Sequence, residues 1–467
     1  MTLGMHSTAK KTSKKWDATA NGSRPLLLFS ALMVMTFTRG APSHTAAALT
    51  ALTMAALAAG VALLHPIALR ELDWLRRTEW TLVVVVLLAG LILTAGGLAR
   101  AFADISSPLW LTVTSVYTIL GLVGALLLVR RLPHLKWAFP LFLLAHTVMT
   151  VALLRSAPAD IDVAVFLRDG AVAVLHGHNP YSLTFANIYP QPLADLFYGQ
   201  GVVINGRITF GFPYLPVALL VAIPGQLLGD VRYSQLIAML VTALVLRRLA
   251  TDRVGGAAAV LGVAAPAAIP MLTGAWTEPT LVALLACLVL ALERHRHAFV
   301  AVLLGLFLVS KQYVVIAIPV ISLIRQWLTR RVIFVGLGVA TAVTLPFVLV
   351  GPAAFWRAIV EYQLIQPFRS DSISLLVSSV NTFGWPPPWT YGVLPFVGGG
   401  LTAIALALRA PRTPAALAAG IGLTLLVTIL LSKQAFMNYY FLVSGAFLIA
   451  AVDWPTQQPL TPPEQRS

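Results

Sequence analysis

The chain has 467 residues, of which 58% are hydrophobic and only 10% charged, and its mean hydropathy is +0.84. Soluble domains carry about 25% charged residues, so this chain lacks the side chains to cover a water-facing surface, and a soluble enzyme or a disordered chain is excluded. The net charge of +15 would suggest nucleic acid in a soluble protein; here it reads as positive-inside flanking charge beside anionic membrane lipid, with no nucleic-acid partner.

Residues 1–25 are polar, carry Lys10, Lys11, Lys14 and Lys15, and read as a disordered basic cytoplasmic tail. Apolar runs follow at 26–38, 46–64, 80–98, 109–129 and 137–154. Those within 26–136 form an N-terminal set of transmembrane helices ahead of a module over 137–452. Residues 155–212 then break the pattern with Asp160, Asp162, Asp169, Asp195, His176 and His178, and contain no run of span length. The piece at 213–228 contains Pro213, Pro216 and Pro224, and reads as re-entrant or interfacial. Further spans are expected at 232–246, 255–274, 279–292, 298–310, 312–328 and 332–350. After a second long loop at 351–391, three last spans fall at 392–409, 415–431 and 436–452, and the Pro-rich segment 453–467 reads as a disordered tail. At about 20 residues per spanning helix, the fold class is an all-α polytopic membrane protein of about 12–13 spans. The runs are continuous rather than alternating, which excludes an outer-membrane barrel.

Orientation follows from the basic residues of the short loops. With the Lys-rich tail inside, 26–38 as a span and 213–228 not crossing, the inner loops hold Arg70, Arg76 and Arg77; Arg130, Arg131 and Lys136; Arg247, Arg248 and Arg253; Arg294 and Arg296; Arg325, Arg330 and Arg331; and Arg409 and Arg412. Both long loops then lie outside, together with Asp160, Asp162, Glu278, Lys311, Arg369, Asp371 and Lys433. This makes the chain a multi-pass plasma-membrane protein whose unusual polar residues face out of the cytoplasm.

Asp160-Ile161-Asp162 sets two carboxylates where a span meets water. Partial desolvation there raises a carboxyl pKa and suits it to general-base chemistry; capping of the helix that begins near Val163 is the structural alternative. Beyond Lys136, every Lys/Arg position is arginine except Lys311 and Lys433, both within Ser-Lys-Gln and both between apolar runs. A lysine at membrane depth costs about 2.5–3.5 kcal/mol, so the pair suggests an anionic ligand, with phosphate the obvious one; snorkelling to headgroups is the alternative. Glu278 opens a span on the same face, where a carboxylate also suits a helix N-terminus. Arg369-Ser370-Asp371 either clamps a ligand or pairs internally. His146 reads as a packing residue, and neither the two loop histidines nor the single cysteine, Cys287, makes a metal site or a disulfide.

The run from Asp160 to Tyr181, with Gly177-His178-Asn179-Pro180-Tyr181 closing an amphipathic helix, resembles the first outer loop of GT-C superfamily glycosyltransferases. The likeness is greatest to the mannosyltransferase-like members called glycosyltransferase family 87. Phe210-Gly211-Phe212-Pro213-Tyr214-Leu215-Pro216 is similar to their Phe-x-Tyr-Pro-Pro-Leu segment with one proline displaced. Leu304-Gly305 through Lys311 to Pro319 resembles their Gly-rich span, and Asn438-Tyr439-Tyr440 also fits. The likeness covers 137–452 and leaves 1–136 unmatched.

The resemblance implies a GT-C-like fold and transfer of a sugar, mannose first, from a polyprenyl-phosphate donor to a lipid or glycan hydroxyl, with inversion. It implies Asp160 or Asp162 as base, with Asp160 favoured. Lys311, Gln312, Arg369 and Lys433 would bind the donor phosphate, and His178, Asn179, Tyr181, Tyr214, Glu278 and Asp371 the rest of the substrates. No cofactor or divalent metal is implied. The rival reading is a secondary transporter or flippase for a lipid-linked or anionic substrate, which should show repeated halves; a non-catalytic scaffold would leave the embedded lysines without a purpose.

Overall fold

The computed structural model describes residues 20–37, 45–64, 78–92 apart from Trp80, Val86 and Ala89, 137–156 and 158–454. Residues 1–19 of the basic tail, the span expected at 109–129, the charged loops around Arg70 and Arg130, and residues 455–467 lie outside the described residues; residues 20–25, expected in the tail, belong to the first helix.

Helices α1 (Ala20–Phe37) and α2 (Thr45–Leu64) pack on each other, and α1 also lies along the last helix. Helix α3 (Ala138–Ser156) leads into the first long loop, which contains α4 (Asp162–Leu175) and α5 (Gln191–Tyr198). That loop also holds a small antiparallel sheet, order β1-β3-β2, of Phe185–Ala186, Val203–Ile204 and Arg207–Ile208. Its hairpin turns on Asn205-Gly206, both at positive φ (50° and 72°), the conformation that a two-residue type I′ turn demands.

Helix α6 (Pro216–Leu227) is folded back against α7 (Arg232–Leu249) at 106°. Residues 253–273 follow as three short helical pieces, then α8 (Glu278–Glu293) and α9 (His297–Leu308). Gln312–Ile324 is a 3-10 helix, succeeded by α10 (Arg330–Val350). The second long loop carries α11 (Leu375–Phe383), and α12 (Leu394–Arg409), α13 (Pro414–Leu430) and α14 (Met437–Asp453) complete the chain.

Among the described residues, five helices are long and apolar enough to cross a membrane, or six with the bent pair α6–α7 taken as one span. Several of the other expected spans are apolar helices of 12 to 17 residues. The 3-10 helix covers distance economically: at about 2.0 Å rise per residue its 13 residues reach about 26 Å, where an α-helix would reach about 20 Å. Three residues per turn also explain its packing, because Val314, Ala317, Val320 and Leu323 recur at every third position and are all buried.

Apolar residues of α1, α2, α7, α8, α13 and α14 form the main core. A second core gathers Phe166, Phe185, Tyr198, Phe210 and Phe212 of the first loop with Ile359 and Tyr362 of the second. The two long loops are therefore one structure, clasped by Phe210 stacked on Tyr362 at 3.6 Å.

Candidate functional site

The family-like motif at 177–181 has mostly structural work. Helix α4 ends in a Schellman arrangement: Gly177 takes φ +74°, its N–H donates to the Val174 carbonyl (3.0 Å) and the His178 N–H to the Ala173 carbonyl (2.8 Å). Asn179 accepts the Tyr181 amide (3.1 Å), and the Tyr181 hydroxyl donates to the Tyr214 carbonyl (2.9 Å). Tyr181 is buried against Phe212, Phe347 and Phe355. This places the first motif directly on the second, where the Phe212 amide donates to the Pro180 carbonyl (3.2 Å). Gly211 makes that approach possible: its φ is +84°, and a Cβ there would stand 2.2 Å from the Tyr181 carbonyl oxygen.

Between the clasped loops and the ends of α8, α9 and α14 lies a cavity of about 560 Å³. Asp162 lies on its wall, at the N-terminus of α4, where the helix dipole favours a negative charge. Its Oδ2 accepts the Tyr198 hydroxyl (2.9 Å) and its Oδ1 the Val163 amide (2.8 Å), with the Tyr189 hydroxyl at 3.4 Å. Burial pushes this carboxyl above the usual carboxylate range, against the opposing pull of these hydrogen bonds and of the Arg369 charge. The same burial, reinforced by the Asp162 charge, pushes the Tyr189 hydroxyl up to about 12 and the Tyr198 hydroxyl higher still. Both phenols therefore remain protonated donors at neutral pH.

Lys311 lies opposite in the chain but on the same cavity, 4% exposed, with its ammonium 4.0 Å from the centre of the Tyr214 ring. It is held by Glu278, which is fully buried: Nζ to Oε1 is 3.2 Å, and the same oxygen accepts from Asn438 Nδ2 (3.0 Å) and the Tyr313 hydroxyl (3.2 Å). Three bonds converge on Oε1, while Oε2 is buried without a hydrogen-bond partner. Gln312 donates to the Pro213 carbonyl (2.8 Å) and fixes the second motif to the end of α9.

Arg369 is the cavity's second cation. It makes a two-pronged pair with Asp371 (2.8 and 2.6 Å), and its guanidinium lies 4.1 Å from the ring of Phe197 and 4.6 Å from that of Phe436. Burial would raise the Asp371 carboxyl, but the Arg369 hydrogen bonds and charge prevail and hold it below its ordinary value.

The fold thus brings Asp162, Tyr214, Lys311, Gln312, Arg369 and Asp371 around one cavity, with Glu278 bonded to Lys311. Five of the expected site residues are elsewhere. Asp160 and His178 are exposed and off the cavity; Tyr181 and the Oδ1 of Asn179 are engaged in the turn just described, while Asn179 Nδ2 is buried without a hydrogen-bond partner. Lys433 is also off the wall, its ammonium given to the carbonyls of Leu364 and Gln366. Residues that sequence reasoning did not assign to the site are largely aromatic or amide: Tyr189, Tyr198, Phe210, Tyr362, Gln363, Gln366, Gln434 and Tyr439. Phe210 and Tyr439 fall in the segments that resemble GT-C enzymes, whereas the other tyrosines and the glutamines lie in or beside loops and carried no signal of their own.

These features define a multi-pass helical membrane protein with a polar, aromatic-walled cavity at one end of its bundle. No family model matches the sequence, and no curated protein does. Among solved structures the chain is similar to ArnT from Cupriavidus metallidurans, crystallised bound to undecaprenyl phosphate, at 19% identity and a TM-score of 0.39 over 66% of this chain. The match spans 59% of the length of that chain.

Proposed function

We propose that this protein is an integral membrane glycosyltransferase that moves a sugar from a polyprenyl-phosphate donor to a hydroxyl of a lipid or cell-envelope glycan. The observation that carries the reading is the cavity itself. One carboxylate of raised pKa, Asp162, shares it with two cations, Lys311 and Arg369, and with a wall of tyrosines and glutamines suited to a polyhydroxylated substrate. The motifs resembling GT-C enzymes supply the substrate class, with mannose as the leading sugar.

In this reading Asp162 accepts the proton of the acceptor hydroxyl as that oxygen attacks the anomeric carbon. The bond from that carbon to the phosphate oxygen breaks, and the electron pair leaves with the polyprenyl phosphate. Attack from the side opposite the leaving group inverts the centre. Arg369 and Lys311 stabilise the charge that grows on the phosphate, an electrostatic contribution made larger by exclusion of water. Each exchanges part of its hold on a resident carboxylate, Asp371 or Glu278, for the donor. Asp162 takes the base role in preference to Asp160 because it is on the cavity wall and Asp160 is not. A monophosphate donor needs no divalent metal in this scheme. The positive-inside rule assigns the cavity to the outer face.

The test is transfer of radiolabelled sugar from a polyprenyl-phosphate donor by the purified protein, compared with Asp162→Asn. Removing a general base costs about 10²–10⁴-fold in rate. Full activity in Asp162→Asn would remove the carboxylate from the mechanism. Uptake of an intact substrate into proteoliposomes without transfer would favour the transporter reading instead.

A further inference from the structure

Lys433 was expected beside the donor phosphate, yet it is not on the cavity lining and its ammonium is taken up by backbone carbonyls. It donates to the carbonyl oxygens of Gln366 and Leu364 (3.3 Å to the latter). Both follow or end the short helix Tyr362–Ile365, where carbonyls have no partner within the helix. A cation there is the familiar complement to a helix C-terminus. The surrounding bonds extend the same join. The Arg369 amide donates to the Lys433 carbonyl (3.2 Å) and the Ile373 amide to the Ala435 carbonyl (2.9 Å). The Ser374 hydroxyl donates to the Ser432 carbonyl (2.8 Å) and Gln434 Nε2 to the Pro367 carbonyl (3.0 Å). Residues 364–374 are thus fastened along 432–435, and Arg369 sits in the middle of the fastened segment.

We propose that Lys433 is a positioning residue: its ammonium latches the second outer loop to the 432–435 segment and so keeps the Arg369 guanidinium at the cavity wall. The two Ser-Lys-Gln tripeptides then have different tasks, the first facing the substrate and the second holding another cation in place. The chemical part of this inference rests on the glycosyltransferase reading; the latch itself does not.

The experiment has an arm for each. Ser372 is buried and its hydroxyl lies 3.4 Å from the Lys433 carbonyl, so a cysteine there, in a Cys287→Ala background, reports opening of the latch through its reaction with a water-soluble maleimide. Lys433→Met should speed that labelling by at least about tenfold as local opening becomes easier, and Lys433→Arg should not. Unchanged labelling in Lys433→Met overturns the latch, whether or not the protein transfers sugar.

In the transfer assay, Lys433→Met should raise the donor KM more than it lowers kcat. In an Arg369→Gln background it should have almost no further effect, because both substitutions remove the same interaction. Additive losses in the double variant would mean that Lys433 contacts the donor independently, and would overturn the positioning role. Absence of transfer in the wild-type protein would count against the function proposed above and leave the labelling result standing.

Discussion

Asp162 is kept in a place that suits chemistry better than stability. Burial holds its carboxyl above the usual range, so over the interval between the ordinary carboxylate pKa and the raised one, the folded protein binds a proton that the unfolded chain has released. Stability attributable to this group therefore falls as pH rises through that interval. Asp162→Asn removes the titration, and its thermal stability relative to wild type should climb as pH is taken from about 4 to about 7. A melting series of the two proteins in the same detergent checks this, with loss of transfer as the companion result.

The Glu278–Lys311 pair carries the opposite lesson. Glu278 is fully buried and Lys311 4% exposed, so neither charge has water to fall back on. Glu278→Ala strands the ammonium and should cost about 3–5 kcal/mol, whereas the double variant Glu278→Leu with Lys311→Met should recover much of that loss, since a buried pair replaced whole by apolar side chains is often close to neutral. Differential scanning fluorimetry of the two variants decides the point. Recovery of stability without recovery of transfer would separate the pair's chemical role from its structural one.

At the scale of elements, the segment from α4 to α6 depends on backbone geometry more than on the side chains that make its motifs recognisable. Gly211 has both a positive φ and a carbonyl within 2.2 Å of where a Cβ would stand. Gly211→Ala should therefore destabilise the first loop by at least about 1–3 kcal/mol, separate Tyr181 from Tyr214, and raise protease sensitivity within 177–216. Limited proteolysis followed by mass mapping measures this. His178→Ala, at an exposed position off the cavity, should leave both the proteolytic pattern and transfer unchanged.

Across the whole molecule, α14 ties the two ends together. Near its start Asn438 bonds Glu278 beside the cavity, and near its finish the Ala451 carbonyl accepts Arg24 Nε (3.0 Å). The helix rises about 20 Å between Asn438 and Ala451. Arg24 also makes a two-pronged pair with Asp252, which fastens α1 to the loop after α7 at the end away from the cavity. At that same end Gln326 Nε2 donates to the Arg412 carbonyl (2.9 Å) and the His295 and Trp327 rings stack, so the loops rich in arginine are neighbours. Cysteines replacing exposed Ser370 and Arg412 should consequently be labelled from opposite faces of sealed vesicles, Ser370→Cys from outside. Labelling of both from one face would refute the orientation.

The amino-acid sequence by itself determined the helical membrane class, the positions of most apolar helices, the two long loops and the segregation of arginines, because these depend on hydropathy summed over many residues. It also contained Asn205-Gly206, a hairpin signal that the polar loop's composition obscured. It marked Asp160, Asp162, Lys311, Arg369, Asp371 and Lys433 as unusual, but could not say which of them meet in space. The tertiary structure decided the rest. A charged side chain's task depends on which partner lies within about 3 Å, and sequence spacing carries no such information. Read from the chain, Asp160 was favoured over Asp162 and the two Ser-Lys-Gln tripeptides looked alike; folding put Asp162 and Lys311 on the cavity and left Asp160 and Lys433 off it.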